Sequence, residues 1–180
     1  MKIITVVGKD KSWKTTLITE VYEEVLRKGT LDYYKREGEN NRDFKALISC
    51  DKNKKIAFCS IGDPADPKHI PSEYILRGLV FASKREANIL INAYSDSFNA
   101  TSTVFSYETY ESIVKIDTNT YKPIFMDKEK NLEKQKKENY ETILKELDLI
   151  WWEKYLSDFD RPVDVYLDYQ QRRSLIWIVK

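Results

Sequence analysis

Residues 4–18 read Ile4-Thr5-Val6-Val7-Gly8-Lys9-Asp10-Lys11-Ser12-Trp13-Lys14-Thr15-Thr16-Leu17-Ile18. The apolar, β-branched run from Ile3 to Val7 suits a buried strand. Gly8 and a short basic stretch interrupt it. From Thr15 to Lys28 the apolar residues Leu17, Ile18, Val21, Tyr22, Val25 and Leu26 recur at helical spacing. Gly29 follows as a candidate for the helix C-terminal cap. The stretch therefore predicts strand, tight loop and helix in direct succession.

Such a junction suits an anion. Backbone N–H groups in a tight loop curl around a negative group, and the helix aims its positive end at the same point. The spacing matches the pattern G-x-x-x-x-G-K-[ST], with Gly8 first and Lys14-Thr15 last. Trp13 stands where the pattern has its second glycine. Lys14 would set a full charge against the terminal phosphates. The Thr15 hydroxyl is the natural ligand for Mg²⁺, which keeps most of its waters and bridges phosphate oxygens. A non-glycine residue held at positive φ costs about 1–3 kcal/mol, so Trp13 should reshape the loop without unfolding the domain. Its indole must turn outward, lie on a base, or fill the cradle.

The stretch Gly8 to Ile18 resembles the P-loop NTPase superfamily, in the form G-x-x-x-S-G-K-T-T-L-I. That resemblance implies an α/β fold, a three-layer domain with a mixed, mainly parallel central sheet and β-hairpin elements. It implies a nucleoside triphosphate, ATP before GTP, with Mg²⁺. Gly8, Lys9, Asp10, Lys11, Ser12, Trp13, Lys14, Thr15 and Thr16 would cradle the phosphates. It also asks for an acidic residue at the end of a neighbouring strand. The run "KIAFCSIGD" ends in Gly62-Asp63, which makes Asp63 the expected Mg²⁺ partner of Thr15. Ser60 is its helper and Asp66 its alternate. A turn aspartate capping backbone before Pro64 is the competing reading of Asp63. With Lys14, Asp63 completes the expected catalytic pair.

The remaining chain is read around this core. The segment from Thr30 to Arg42 is polar and is expected to be irregular. "FKALIS" and "KIAFCSI" predict an antiparallel pair. A turn centred on Asp51 to Lys54 would set Cys50 opposite Lys55 and Cys59 opposite Ala46. That is too far apart for a disulfide. "GDPADPKHIP" is a loop, and a helix should run from Ser72 to about Ala87. Gly78 inside that helix implies close backbone packing. "NILINAY" is a buried strand whose end offers Ser95 and Asp96 to a ligand crevice. Tyr107, Tyr110 and Val114 suggest a short helix, and "KPIFM" another strand. Leu132 to Tyr155 forms the longest helix, with Tyr140, Ile143, Leu144, Leu147, Ile150 and Trp151 as its apolar stripe. The tail carrying Arg172 and Arg173 reads as a hairpin.

Composition narrows the function classes. The chain has 180 residues, 42% of them hydrophobic, which suits a single domain over 1–180. A net charge of +1 gives no broad attraction to nucleic acid or anionic membrane, though a local basic patch is compatible with it. No apolar run is long enough for a membrane span, and two cysteines read as reduced thiols fit a cytoplasmic protein. One histidine, His69, leaves a conventional zinc site without ligands. Arg77, Arg85, Arg161, Arg172 and Arg173 are candidates for neutralising transferred phosphate, although solvated arginines are commoner. Tyr33 and Tyr34 are candidates for stacking on a base. Three activities fit: an NTPase, a nucleotide or nucleoside kinase, and a non-catalytic nucleotide-binding or assembly module, which Trp13 favours. A protein partner or a homo-oligomer is compatible with each.

Overall fold

The computed structural model describes residues 1–9, 11–37, 43–50, 54–61, 71–95, 111–112, 114–115 and 120–147, with backbone alone for 71–76. The chain divides into two compact units, Met1–Ile143 and Leu144–Lys180. Of the second unit, Leu144–Leu147 are described, and Leu144 and Leu147 are buried.

The described residues form an α/β fold with a mixed six-stranded sheet and three helices. The elements are β1 (Lys2–Gly8), α1 (Lys14–Leu26), β2 (Thr30–Glu37), β3 (Asp43–Cys50), β4 (Lys54–Cys59), α2 (Pro71–Lys84), β5 (Ile89–Ser95), β6 (Thr120–Met126) and α3 (Leu132–Glu146). The strand order is β2-β3-β4-β5-β1-β6. The strands β4, β5, β1 and β6 run parallel, and β2 and β3 add antiparallel pairs at one edge. β1 and β5 are interior strands, and both are nearly continuous apolar runs, as strands covered on both faces must be.

Side chains alternate across the sheet, so each strand serves two cores. Ile3, Val7, Ala57, Cys59, Leu90 and Tyr94 share one cluster with Phe81 and Ala82 of α2. On the other face Tyr22 of α1 packs on Phe44 and Phe58, at 4.9 and 5.5 Å between ring centroids. Thr5 and Asn92, register partners on β1 and β5, exchange a buried hydrogen bond of 2.7 Å. A one-residue slip would break this bond and turn both side chains to the other face, so the pair supports the register of the strand that delivers the loop.

The structure corrects several expectations. Thr30–Glu37 is a strand, not irregular chain. Its burial alternates weakly because it lies at the sheet edge, and pairing with β3 decides its conformation. The β3–β4 turn closes one residue earlier than expected, so Cys50 faces Lys54 and Cys59 faces Lys45. The thiols lie on opposite faces, Cys59 in the α2 core and Cys50 against Gly29. Both are buried, and neither is in a disulfide. α2 ends at Lys84, before Ala87. Gly78 does pack closely, since an added Cβ would sit 3.2 Å from Cys59 Sγ. Gly29 is also a packing residue, because an added Cβ would overlap Ile48 Cγ2 and approach Ser49 O at 2.9 Å. α3 begins at Leu132 as expected, and Asn131 Oδ1 caps it by accepting from Lys134 N at 3.0 Å. Ile150, Trp151, Trp152, Trp177, Tyr107, Tyr110 and the tail hairpin lie outside the described residues.

Candidate functional site

β1 ends at Gly8, between Ser95 of β5 and Met126 of β6 in register. The chain then turns sharply into α1, and Gly8 is what permits the turn to close. A Cβ there would overlap Ser12 Oγ and lie 2.5 Å from the carbonyl oxygen of Met126. Ser12 N donates to Lys9 O at 3.3 Å, and Lys14 Nζ donates to the same carbonyl at 2.8 Å. The lysine therefore reaches back across the loop, and its side chain is buried.

The backbone of the loop alternates in hand. Lys11 has φ 61° and Trp13 φ 63°, while Ser12 between them and Lys14 after them are not at positive φ. Successive residues of opposite hand turn their N–H groups toward one side, the geometry of an anion nest. α1 starts at once, its N-cap Trp13 makes no side-chain capping bond, and no acidic residue occupies the first turn. The helix thus carries neither a side-chain N-cap bond nor an acidic residue of its own in the first turn. Trp13 itself is 39% exposed, with its indole directed outward. Lys136 Nζ lies 5.7 Å from the ring centroid and is ion-paired to Glu20 at 2.6 Å. The indole is therefore outside the loop.

Among the described residues two buried hydroxyls at this strand end have no partner, Ser12 Oγ and Ser95 Oγ. Ser95 is the register partner of Gly8, so its side chain leaves the sheet on the same face as the loop. Unpartnered buried hydroxyls each cost about 1–3 kcal/mol, and two beside one glycine mark a place where polar partners are wanted.

A carboxylate that the sequence did not single out completes the arrangement. Asp43 Oδ1 accepts from Thr15 Oγ1 at 3.4 Å and from Ser60 Oγ at 3.3 Å. Ser60 Oγ in turn accepts from Phe44 N at 2.9 Å, and Ser60 N donates to Phe44 O at 3.0 Å. Ser60, expected as the helper of Asp63, hydrogen-bonds instead to Asp43 among the described residues. No local signal marks it: Asp43 lies 28 residues from Thr15 and opens an antiparallel strand. Asp63 and its alternate Asp66 lie outside the described residues, as do Asp10, His69, Asp96, Arg161, Arg172 and Arg173. β4, which precedes Asp63, is separated from β1 by β5 rather than adjacent to it. Lys9, Lys11 and Thr16 are exposed on the loop and first turn. Arg77 and Arg85 sit on and just after α2, on the opposite face of the sheet from α1. Tyr34 stacks on Phe44, with centroids 5.8 Å apart, as part of the α1-side packing.

Among the described residues no group of three or more His, Cys, Asp and Glu could hold a metal ion. One carboxylate and one hydroxyl still suit Mg²⁺, which takes one or two protein oxygens and retains water and phosphate ligands. Among the described residues no helix is long and apolar enough to cross a membrane. The chain matches no family model, no curated protein and no solved structure.

Proposed function

We propose that the chain is a P-loop NTPase-like protein that binds a nucleoside triphosphate, ATP before GTP, with Mg²⁺ and hydrolyses it. The observation that carries this reading is the alternating backbone hand over Lys11–Lys14 at the uncapped start of α1. That geometry turns several N–H donors toward one point without needing glycine at position 13. The outward indole supports it, since the substitution that departs from the pattern leaves the loop interior to the ligand.

Roles follow from position. The N–H groups of Ser12 to Thr16 would hold the β-phosphate region. Lys14, now tied to Lys9 O, would exchange that acceptor for phosphate oxygens. Thr15 and Asp43 would hold Mg²⁺, Thr15 directly and Asp43 through its hydrogen bond to Thr15 or a bound water. The metal would supply charge neutralisation at the phosphates. Ser60 would keep the Asp43 carboxylate turned toward Thr15.

The test is a titration of ATP with Mg²⁺ followed by tryptophan fluorescence and by melting temperature. Binding should raise the melting temperature, and Lys14→Ala should weaken affinity by about tenfold or more, the loss of one charge-assisted contact. If neither ATP nor GTP at about millimolar levels alters either signal, no nucleotide binds with useful affinity and the reading falls. Phosphate release without an acceptor supports hydrolysis. Transfer of the γ-phosphoryl group to an added nucleoside or monophosphate, without phosphate release in its absence, makes the chain a kinase.

A further inference from the structure

On the α2 side of the sheet, away from α1, lies an open cleft of about 560 Å³. Small-ligand sites usually run from about 300 to 1,000 Å³. One wall is a stripe of α2 and the residue after it, with Arg77, Val80 and Lys84 exposed, Arg85 half-buried and Phe81 buried at its base. The other wall is the edge of the sheet, with Tyr33 of β2 and Lys45 of β3.

The charge in this cleft is lopsided. Among the described residues its one lining carboxylate, Glu37, is tied to Lys45 at 2.8 Å, and Lys35 lies 3.7 Å away. The two lining charges of that pair cancel, which leaves Lys84 and Arg85 as the cations the argument uses. Among the described residues neither Lys84 nor Arg85 makes an ion pair. Arg85 instead lies on two rings, with its guanidinium carbon 4.4 Å from the Tyr33 centroid and 4.3 Å from that of Phe81. The rings themselves are 5.2 Å apart. Contact with both rings positions the guanidinium, whose N–H fork is the kind of donor set that fits phosphate oxygens. Lys84 adds a mobile point charge one residue away. Val80 is 48% exposed on the same stripe and offers apolar surface. Cations in a concave, partly apolar site focus positive potential more than the same charges on a convex surface.

We propose that this cleft binds a small phosphate monoester bearing a flat ring, of about the size of a nucleoside monophosphate. The phosphate lies against Lys84 and the Arg85 fork, with Arg77 beyond. The ring lies over the Tyr33–Arg85–Phe81 stack and Val80. The dianion of a monoester matches Lys84 and Arg85 together better than a single carboxylate does. A concave site on a chain of net charge +1 also suits a small ligand better than a nucleic-acid track. This site is separate from the phosphate loop and stands whether or not that loop binds a triphosphate. One structural link joins them: Glu37 pairs in register with Asp43, which bonds to Thr15.

The test uses the full chain and three probes: adenosine monophosphate, ribose 5-phosphate and adenosine, each by calorimetry. The monophosphate should bind in about the submillimolar range, and each half-ligand should bind at least about fivefold more weakly. Lys84→Gln, an exposed change that leaves the Arg85 stack in place, should weaken the monophosphate about three- to tenfold. Lys14→Ala should leave it unchanged. Three results overturn the proposal: no binding at millimolar monophosphate, Lys84→Gln binding as tightly as wild type, or Lys14→Ala abolishing binding. The last would place the monophosphate in the phosphate loop instead. A failure of ATP binding alone, with the monophosphate still held, would sink the nucleotide loop and leave this cleft intact.

Discussion

Replacing Gly8 with alanine tests whether the end of β1 is as tightly closed as its contacts require. The new Cβ would meet the Met126 carbonyl oxygen at 2.5 Å, where ordinary contact begins at 3.4 Å, and would overlap Ser12 Oγ as well. Roughly an ångström of retreat is needed on the β6 side. The carbonyl belongs to the last register pair of the β1–β6 ladder, so it moves only if that ladder opens. Ser12 sits in a loop pinned by two bonds to Lys9 O, so it moves only if the loop opens. Overpacking against backbone of this kind costs about 1–3 kcal/mol. With a urea m-value of about 1–3 kcal/mol/M, the midpoint should drop by about 1 M without change in m. Gly78→Ala is the internal control. Its Cβ would lie 3.2 Å from the Cys59 side chain, and alanine's helix preference of about 1 kcal/mol offsets that crowding. If Gly8→Ala unfolds within about 0.5 kcal/mol of wild type, or Gly78→Ala is the worse of the two, the reasoning about this strand end is wrong.

Trp13→Gly should be more stable than Trp13→Ala by about 1 kcal/mol, because both lose the indole and only alanine keeps the left-handed strain at φ 63°. Equal midpoints in urea would mean that the loop relaxes when the indole is removed. Asp43→Asn should weaken Mg²⁺-dependent ATP binding by about tenfold while leaving metal-free binding unchanged, as measured by titration with and without chelator. An equal loss in both conditions would make Asp43 a loop support rather than a metal partner. Burial pushes the Cys59 thiol up to about 11 from its ordinary 9.0, against a smaller opposing pull from Lys45. The fold thus holds a proton that the unfolded chain releases, so stability should fall as pH climbs past 9 and level off beyond about 11. Urea midpoints at about pH 8 and about pH 10 should diverge in wild type and converge in Cys59→Ala; parallel shifts in both proteins would assign the loss to other groups.

What the sequence determined by itself is local. Strand, loop and α1 are legible over Lys2–Leu26 because β-branched runs, a glycine turn and a 3.6-residue stripe each act within a few residues. The β3–β4 hairpin was legible for the same reason, to within one residue of register. Even the need for close packing at Gly78 could be inferred, because a helix-weakening glycine calls for a neighbour.

Tertiary structure decided what depends on distant partners. β2 is a strand because β3 offers it an edge, not because Thr30–Glu37 carries a strong pattern. β5 comes between β4 and β1, so the strand expected to supply the metal partner is not the neighbour of the loop strand. Instead the antiparallel turn of β3 brings Asp43 to Thr15, a pairing no spacing rule encodes. The direction of the Trp13 indole was equally beyond local reading. Side-chain direction at a left-handed residue depends on what lies outside the loop, and here Lys136, well over a hundred residues onward, supplies the positive charge beside the ring.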